Sequence, residues 1–344
     1  MTAPLRFGLV GAGGIGSSYV QVFTGLADAH VAGVADTDAA AAESAASTLG
    51  CAPYSDHRAL LGAVELDAVV VCTPPSTHVD IARDFVQRGV AVLVEKPFAI
   101  RSDDARDLIV RADREGVQVT MASKFRYVYD VVHARHLLDS GLVGDAILFE
   151  NSFASRVAMA DRWNSDPSVS GGGVLMDNGT HSVDIARYLL GPISEVRAAE
   201  GKRVQDLDVE DTAQLLLRTG DGVMGAVTVS WSLEKATDVY LGVYGSEGAM
   251  EIGWKTSRYR QAPSSEWVHF GRGYDKIAAM REQVLNFCRA LRGSEQLLIT
   301  GTDAIASVDV IAAAYRSVPL GQWVAAQQPV VRPLDSAASG SQVA

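Results

Sequence analysis

Through about residue 122 the sequence alternates short β-rich runs with helical segments, and this alternation limits the possible folds more than any other feature. The β-rich runs are apolar, as in "LRFGLV", "HVAGVAD" and "LDAVVVC", and each leads into a segment with helical character. Strands joined by right-handed helical crossovers form a parallel sheet with helices on both faces. The unbroken run from Val69 to Val71 is typical of a strand covered on both faces. We therefore expect a doubly wound parallel α/β domain over residues 1–122.

A second α/β domain is predicted over residues 123–334, where this pattern changes. "YDVVHARHLLDSG" predicts a helix, and the segments from "DAILFENSF" to "GAMEI" predict several strands with few helices between them. Such strands pair mainly antiparallel, so we expect a mainly antiparallel sheet. Two helices are predicted near residues 275–292 and 302–317, and residues 335–344 have the composition of a polar, disordered tail. The domain boundary falls between residues 118 and 128.

Composition excludes several classes of protein. With 48% hydrophobic and 21% charged residues, the 344-residue chain has the proportions of an ordinary globular protein. Its apolar runs are much shorter than the roughly 20 residues that cross a bilayer, so no membrane association is expected. The N-terminal "MTAPLRFGLVG" has no charged segment followed by a long apolar one, which predicts a cytoplasmic location.

The charge and the cysteines limit the possible partners. A net charge of −11 argues against nucleic acid or an anionic membrane surface as the main partner and slightly favours a cationic small molecule. Cys51, Cys72 and Cys288 are odd in number and far apart in the chain. They indicate neither a disulfide framework nor a CxxC metal or redox site.

The motif "GAGGIG" predicts a dinucleotide-binding loop. It places Gly11, Gly13 and Gly16 in GxGxxG spacing directly after an apolar strand and before a helix, with Gly14 and Ile15 at the helix start. The first glycine permits a tight turn, the second lets the backbone approach a pyrophosphate, and the third lets helix and strand pack closely. The helix N-terminus adds N–H donors and the positive end of the helix dipole. The alternative is a glycine turn without a ligand.

Asp36 predicts which dinucleotide binds. It ends the second strand twenty positions after Gly16, where a carboxylate accepts hydrogen bonds from the adenosine ribose and repels a 2′-phosphate. Thr37 follows it, and no arginine stands there to hold that phosphate. We therefore expect NAD rather than NADP. The alternative role for Asp36 is a helix cap.

Two further segments fall at the carboxyl edge of the predicted parallel sheet, where doubly wound folds bind their ligands. "EKP" supplies Glu95 and Lys96, and "CTPPSTH" supplies Thr73, Pro74 and His78. We expect these side chains to contact the nicotinamide half of the cofactor. The alternatives are a solvated amine for Lys96 and a helix residue without a ligand for His78.

A polar stripe is predicted on the helix "GGGVLMDNGTHSVDIARYLLG". Asp177, His181 and Asp184 follow i, i+4, i+7 spacing and so share one face of a largely apolar helix. This stretch alone leaves open a metal site, a catalytic pair and an internally satisfied hydrogen-bond network. Zinc catalysis usually needs three protein ligands, and neither this helix nor the pair His133 and His136 has a recognisable third ligand, so no metal is expected.

The pieces "GAGGIG", "TPPSTH", "EKP" and "GGGVLMDNGTHSVD", in this order and spacing, resemble the Gfo/Idh/MocA family of oxidoreductases, named for glucose-fructose oxidoreductase, inositol dehydrogenase and rhizopine catabolism. With the domain pattern, the resemblance covers almost the whole chain. It implies an N-terminal Rossmann domain and a C-terminal α/β domain with a large open sheet that commonly mediates oligomers. A homodimer or homotetramer is therefore expected. The resemblance also implies hydride exchange between NAD and a secondary alcohol of a sugar or cyclitol.

By position, the resemblance implies that Lys96, Asp177 and His181 are the family's catalytic residues. Where many relatives have Trp then Arg, this chain has Arg162 then Trp163, and we expect both near the substrate. "SKFRY" places two basic residues, Lys124 and Arg126, where relatives have substrate- or cofactor-facing side chains.

These residue types suit the oxidation of an alcohol. His181 has an ordinary pKa near 6.5 and can act as acid and base, Lys96 can stabilise charge on the substrate oxygen, and Asp177 can orient a neighbouring hydroxyl or amine. We expect Asp184 either to orient the imidazole or to pair with Arg187. The predicted substrate is polyhydroxylated, and the negative charge with Asp161 and Asp177 nearby makes an amine-bearing sugar a candidate. The alternatives are a non-catalytic dinucleotide-binding regulator and an NAD-retaining glycosidase.

Overall fold

The first part of the chain forms a six-stranded parallel sheet, as the alternation predicts. The computed structural model describes residues 3–326, so the expected polar tail at 335–344 lies outside the described residues. The strands lie in the order β3-β2-β1-β4-β5-β6, in which every neighbouring pair is parallel. They are β1 (Leu5–Val10), β2 (Ala29–Ala35), β3 (Ala52–Tyr54), β4 (Ala68–Val71), β5 (Ala91–Glu95) and β6 (Val119–Ala122).

Five helices make the crossovers between these strands. They are α1 (Gly14–Phe23), α2 (Ala39–Leu49), α3 (His57–Ala63), α4 (Pro75–Val86) and α5 (Ser102–Glu115). β3 and α3 have no counterpart in the sequence prediction. β3 has three residues, none of them buried, and is therefore too short to show a pattern. The strand order reverses beside β1, which is where a doubly wound sheet opens a crevice for its ligand.

The second domain is built on a nine-stranded sheet of order β14-β13-β12-β11-β7-β10-β9-β8-β15. Its strands pair antiparallel except for β7 and β10, which are parallel, so the prediction of a mainly antiparallel sheet is confirmed. The strands are β7 (Ala146–Ala154), β8 (Ile193–Glu200), β9 (Thr212–Thr219), β10 (Met224–Ser230), β11 (Val239–Gly245), β12 (Gly248–Gly253), β13 (Ser257–Gln261), β14 (Val268–Phe270) and β15 (Val324–Ala325).

Helices cover one face of this sheet. They include α8 (Val174–Leu190), which packs on β10, and α10 (Gly301–Leu320), which packs on β8. The face away from them exposes Leu216 and Met224, which are 40% and 45% exposed. The remaining helices are α6 (Tyr129–Asp139), α7 (Pro167–Ser170), α8 (Val174–Leu190), α9 (Lys276–Leu291) and α10 (Gly301–Leu320), with short 3₁₀ turns at Lys124–Tyr127 and Trp163–Ser165.

Helix α9 follows the second sheet in the chain but packs in the core of the first domain. Its buried Met280, Val284 and Phe287 join a cluster with Phe7 of β1 and Tyr19 of α1. A second buried apolar cluster contains residues of both domains, so the two domains share a core. No helix within residues 3–326 is both long enough and apolar enough to cross a membrane.

Candidate active site

A cavity of about 1090 Å³ lies between the carboxyl ends of the parallel strands and the start of α8. The first domain contributes the ends of β1, β2, β4 and β5, and the second contributes α8, the strand β7 and the loop that follows it. The predicted site residues that line it are Gly11, Gly13, Gly14, Ile15, Asp36, Thr73, Pro74, Glu95, Lys96, Lys124, Arg162, Trp163, Asp177 and His181.

The glycine loop has the geometry that GxGxxG implies. Gly11 has φ +93°, and a Cβ there would lie 2.8 Å from the Cys72 backbone. Gly16 lies outside the cavity lining, and a Cβ on it would lie 2.1 Å from the Gly11 carbonyl oxygen, so it serves helix–strand packing. A Cβ on Gly13 would meet nothing within 4 Å, which leaves room beside the start of α1, and no side chain caps that helix. Uncapped amides beside open space fit a pyrophosphate.

Asp36 lies at the cavity wall just after β2. Its Oδ2 accepts a 2.6 Å hydrogen bond from the Ala12 amide, and its Oδ1 accepts one of 2.9 Å from the Asp38 amide. Helix α2 is capped by Asp38 and not by Asp36. Asp38 therefore has the alternative role of helix cap, and Asp36 is fixed where a ribose would bind.

His78 corrects one prediction. It is buried at 1% exposure and does not line the cavity. Its ring nitrogens lie 2.9 Å from the Pro97 carbonyl oxygen and 2.7 Å from that of Thr73, and burial lowers its pKa to about 4. The side chain supports the Thr73 loop and does not face the cavity.

Glu95 lines the cavity and is held by a buried hydrogen-bond chain. Tyr19 of α1 donates a 3.0 Å hydrogen bond to its Oε1, and Gln283 of α9 donates one of 2.8 Å to the Tyr19 hydroxyl. The Lys96 amide donates a 3.1 Å hydrogen bond to the other carboxylate oxygen. Burial raises the pKa of Glu95.

The three glycines before α8 place that helix. A Cβ on Gly172 would lie 2.1 Å from the Tyr315 hydroxyl, and one on Gly173 would lie 2.0 Å from the Glu210 carbonyl oxygen. The buried Glu210 carboxylate accepts hydrogen bonds of 3.1 Å and 2.9 Å from the amides of Gly173 and Leu175, which stabilises the N-terminus of the helix. Its first turns are thereby fixed at the cavity.

Lys96 and Asp177 form an ion pair across the two domains. Lys96 Nζ contacts Asp177 Oδ1, and it lies 3.3 Å from the Asp177 backbone oxygen. The lysine side chain is 15% exposed and the aspartate side chain 25% exposed. The alternative of a solvated amine does not fit, because the ammonium group lies inside the cavity beside a carboxylate.

His181 lies one helical turn further along α8, beside Lys124. Lys124 Nζ is 3.2 Å from His181 Nε2, while His181 Nδ1 is buried without a hydrogen-bond partner among residues 3–326. Burial, followed by the charges of Lys124 and Lys96, lowers the pKa of His181 well below its ordinary value. Burial and the charge of Lys96 also lower the pKa of Lys124, to about 8.

Arg126 corrects a second prediction. Its side chain does not line the cavity, because it is buried at 3% exposure and pairs with Asp184 of α8 at 2.7 Å. Arg126 Nη2 also lies 3.3 Å from Asp303. Asp184 therefore neither orients His181 nor pairs chiefly with Arg187, whose ion pair is with Asp303 at 3.6 Å. These groups hold the segment after β6 against α8.

The loop after β7 forms the rim of the cavity. Asp161, Arg162 and Trp163 all line it from this loop, and Trp163 is 45% exposed. The order Arg then Trp therefore still brings both side chains to the predicted place.

Several cavity residues have no sequence signal. Lys276 at the start of α9 lines the cavity and donates a 2.7 Å hydrogen bond to Ser18 of α1. Trp231, Trp254 and Asn178 also line it. Residues of this kind come from distant parts of the chain and belong to no local motif. No group of three potential metal ligands occurs in the part of the chain that the structure describes.

Comparison with known proteins places this chain in a family. Residues 5–123 match the oxidoreductase family with an NAD-binding Rossmann fold, and residues 131–251 match the Gfo/Idh/MocA C-terminal domain. The chain is 30% identical over 256 residues to inositol 2-dehydrogenase 2 of Saccharopolyspora erythraea, a match that covers 72% of this chain and 73% of that one. The chain belongs to the Gfo/Idh/MocA family.

Other members of the Gfo/Idh/MocA family match over most of the chain. Inositol 2-dehydrogenase of Rhizobium meliloti is 28% identical over 334 residues, which cover 91% of this chain and 97% of that one. The crystal structure of GenD2 from gentamicin A biosynthesis, in complex with NAD, is 27% identical with a TM-score of 0.85 and covers 95% of this chain and 97% of that one. As a member of this family, the chain is an NAD-dependent oxidoreductase with a Rossmann domain.

Proposed function

We propose that this chain transfers a hydride between NAD and a secondary alcohol of a sugar or cyclitol ring. His181 would act as acid and base, and Lys96 would stabilise the substrate oxygen. The observation that carries the proposal is the meeting of Lys96, Asp177 and His181 in the cavity that the glycine loop enters. These side chains come from two domains and line a common cavity. An ion pair with only a structural role would not require such a cavity.

The proposed chemistry needs a hydride acceptor, a group that takes the hydroxyl proton, and a cation near the oxygen. Bound NAD⁺ supplies the hydride acceptor. The Lys96 ammonium can donate a hydrogen bond to the alcohol oxygen, which lowers the pKa of the alcohol and stabilises developing negative charge. His181 supplies Nε2 for the proton, because Nε2 is the ring nitrogen beside the cavity residue Lys124, whereas Nδ1 is buried without a hydrogen-bond partner among residues 3–326.

Asp177 has two tasks in this proposal. Its contact with Lys96 fixes the ammonium group, and its second carboxylate oxygen can accept a hydrogen bond from a neighbouring hydroxyl. Such a contact would determine which carbon of the ring faces the nicotinamide.

The proposed substrate class is supported by the relatives and by the cavity wall. Two relatives are named inositol 2-dehydrogenases. Trp231, Trp254 and Phe153 line the cavity and offer flat apolar faces to the C–H side of a ring.

An amine-bearing substrate is the finer proposal. It is supported by Asp161 at the rim and by the likeness to GenD2 from gentamicin A biosynthesis. The Asp177 carboxylate supports it less than the sequence alone implies, because Lys96 already neutralises that charge. Affinities for amine-bearing and neutral analogues of the same ring test this point, and equal affinities would remove the amine preference.

The proposed function is tested with His181→Ala. We expect the wild type to reduce NAD, followed at 340 nm, with at least one member of a panel of sugars and cyclitols. The variant should lose turnover by about 10²-fold or more, since a general base commonly contributes 10² to 10⁴-fold. NAD affinity, measured by calorimetry, should change little.

His136→Ala is the matched control, because His136 is an exposed histidine on α6 outside the cavity. It should keep wild-type turnover. Equal turnover of wild type and His181→Ala would contradict the role of His181.

NAD binding without turnover of any substrate would favour the regulator, and release of an aglycone without net NADH would favour the glycosidase. The expected homodimer or homotetramer stays a prediction.

A further inference from the structure

We propose that Lys124 is a catalytic residue, which shares one mobile proton with His181 so that the two side chains form a single acid/base group. This inference rests on the proposed function and names a second residue for its proton transfer. The alcohol proton moves to Lys124 Nζ, the electron pair of the C–H bond leaves as hydride to NAD⁺, and the C=O bond forms. In the reverse direction the same proton returns to the oxygen.

The contact between the two side chains determines which nitrogen is free. Lys124 Nζ lies 3.2 Å from His181 Nε2, and both residues line the cavity. A charged Lys124 donates to Nε2 and so occupies the lone pair that would otherwise accept the substrate proton. A neutral Lys124 can donate one N–H to Nε2 and keep its own lone pair for the substrate. The substrate proton therefore enters the pair at Lys124 Nζ, which refines the proposed function, where His181 Nε2 accepts that proton directly.

The position of Lys124 is fixed by its neighbours in the chain. The 3₁₀ turn Lys124–Tyr127 directly follows β6, and Arg126 within it is anchored to Asp184 at 2.7 Å. Asp184 and His181 lie on the same helix, so this ion pair holds Lys124 beside the imidazole. Phe125 packs its ring edge-on against His181 at 5.0 Å between centroids. The pair is preorganised on rigid elements.

Burial is the main reason why Lys124 gives up its proton, and the surrounding charges do not offset it. Glu95 faces it from the end of β5, Lys96 from the residue after this strand, Asp177 from α8 and Lys276 from α9. These four groups already balance as two carboxylates and two ammonium groups, so Lys124 adds an uncompensated charge. The buried hydroxyls of Tyr240 and Tyr274 add none, because burial raises their pKa values well above the ordinary value and both stay neutral.

The lowered pKa values of the two side chains agree with this arrangement. Burial and the charge of Lys96 lower the pKa of Lys124 to about 8, and burial and the charge of Lys124 lower that of His181 well below 6.5. At a pH between the pKa of His181 and that of Lys124, the pair holds one proton, on the lysine. Above about pH 8 the pair holds none and can accept the alcohol proton, so oxidation should accelerate as the pH rises through this value.

The kinetic test compares Lys124→Met and Lys124→Arg in the full chain with NAD. We expect wild-type kcat/KM for alcohol oxidation to rise with pH, and this limb of the pH profile should have an apparent pKa near 8. Both variants should lose this limb and at least 10²-fold in kcat, with smaller changes in the KM for NAD. Arginine keeps the positive charge but cannot release its proton. A lysine that only bound substrate or cofactor by its charge would be rescued by arginine.

Lys202→Met is the matched control, because it removes an exposed ammonium group that lies outside the cavity. This variant should keep the limb near pH 8. Retention of that limb in Lys124→Met, or near-wild-type kcat in Lys124→Arg, would overturn the proposal.

A direct titration reads the lysine without turnover. The chain has six lysines, so the Cε signals of labelled lysine can be followed by NMR in the wild type with NAD bound. One signal should titrate near pH 8 and be absent from Lys124→Arg. If no lysine titrates below about pH 9, the shared-proton proposal fails. If that lysine is present but no substrate is turned over, the proposed function fails instead.

Discussion

At the scale of single residues, Asp36 carries the choice between NAD and NADP. Two backbone amides, those of Ala12 and Asp38, donate hydrogen bonds to its carboxylate and hold it at the cavity wall. A carboxylate fixed there accepts hydrogen bonds from a ribose and repels a 2′-phosphate. The preference for NAD therefore depends on one charge whose position the loop determines.

Replacing Asp36 with Asn should weaken this preference. A hydrogen bond to a charged group contributes about 1.5–3 kcal/mol, so the KM for NAD should rise about 10- to 100-fold while that for NADP falls. Steady-state kinetics with both cofactors measure the ratio. Asp38→Asn is the control, because asparagine still caps α2 while the neighbouring carboxylate is removed. Equal changes in the two variants would contradict the role of Asp36.

Sequence patterns locate some site residues and miss others for a physical reason. Lys96, Asp177 and His181 belong to short motifs whose elements bring them to the cavity, so the chain itself predicts their place. The roles of His78 and Arg126 depend on partners distant in the chain, the Pro97 carbonyl oxygen and Asp184. A buried partner is not visible in a local pattern, and so both side chains are predicted to face a ligand that they do not reach.

At the scale of elements, α8 uses one face for two purposes. Asp177 and His181 face the cavity, while Asp184 one turn later is fully buried against Arg126. The i, i+4, i+7 spacing predicts that the three share a face. It cannot predict where the cavity ends along that face, because the second domain's packing determines this.

Asp184→Asn should destabilise the protein strongly. It leaves Arg126, whose side chain is 4% exposed, without its main countercharge, and breaking a buried ion pair in this way costs about 3–5 kcal/mol. Urea unfolding measures the free energy of unfolding. Asp104→Asn, which removes an exposed i, i+3 partner of Arg101, should leave it within experimental error. A loss in Asp184→Asn no larger than in this control would show that the buried pair contributes little.

The elements themselves are predictable where they are long. Helix α8 begins at Val174 and ends at Leu190, between the glycines that predict its limits. Strands β3, β14 and β15 have three, three and two residues, which is too short for a recognisable alternation. Their pairing partners in the sheet, rather than their own sequences, make them strands.

At the scale of the whole molecule, α9 joins the two domains. Its place in the chain assigns it to the predicted domain 123–334, yet its buried face completes the core under β1 and α1. Arg292 after α9 also pairs with Asp28 of the first domain at 2.7 Å. Hydrophobic periodicity predicts that a helix has an apolar face but not which sheet that face covers, so sequence alone divides the chain more simply than the structure does.

Phe287→Ala should reveal this shared core. Phe287 is 1% exposed, its ring centroid lies 6.1 Å from that of Phe7, and truncating a buried phenylalanine costs about 3–5 kcal/mol. All five tryptophans lie at or after Trp163, so their fluorescence reports the second domain while NAD binding reports the first. Because α9 belongs to both, we expect the fluorescence and NAD-binding transitions in urea to shift together, whereas Val268→Ala on exposed β14 should shift neither. If the variant loses NAD binding at a lower urea concentration while the fluorescence transition stays in place, the domains unfold independently and α9 does not couple them.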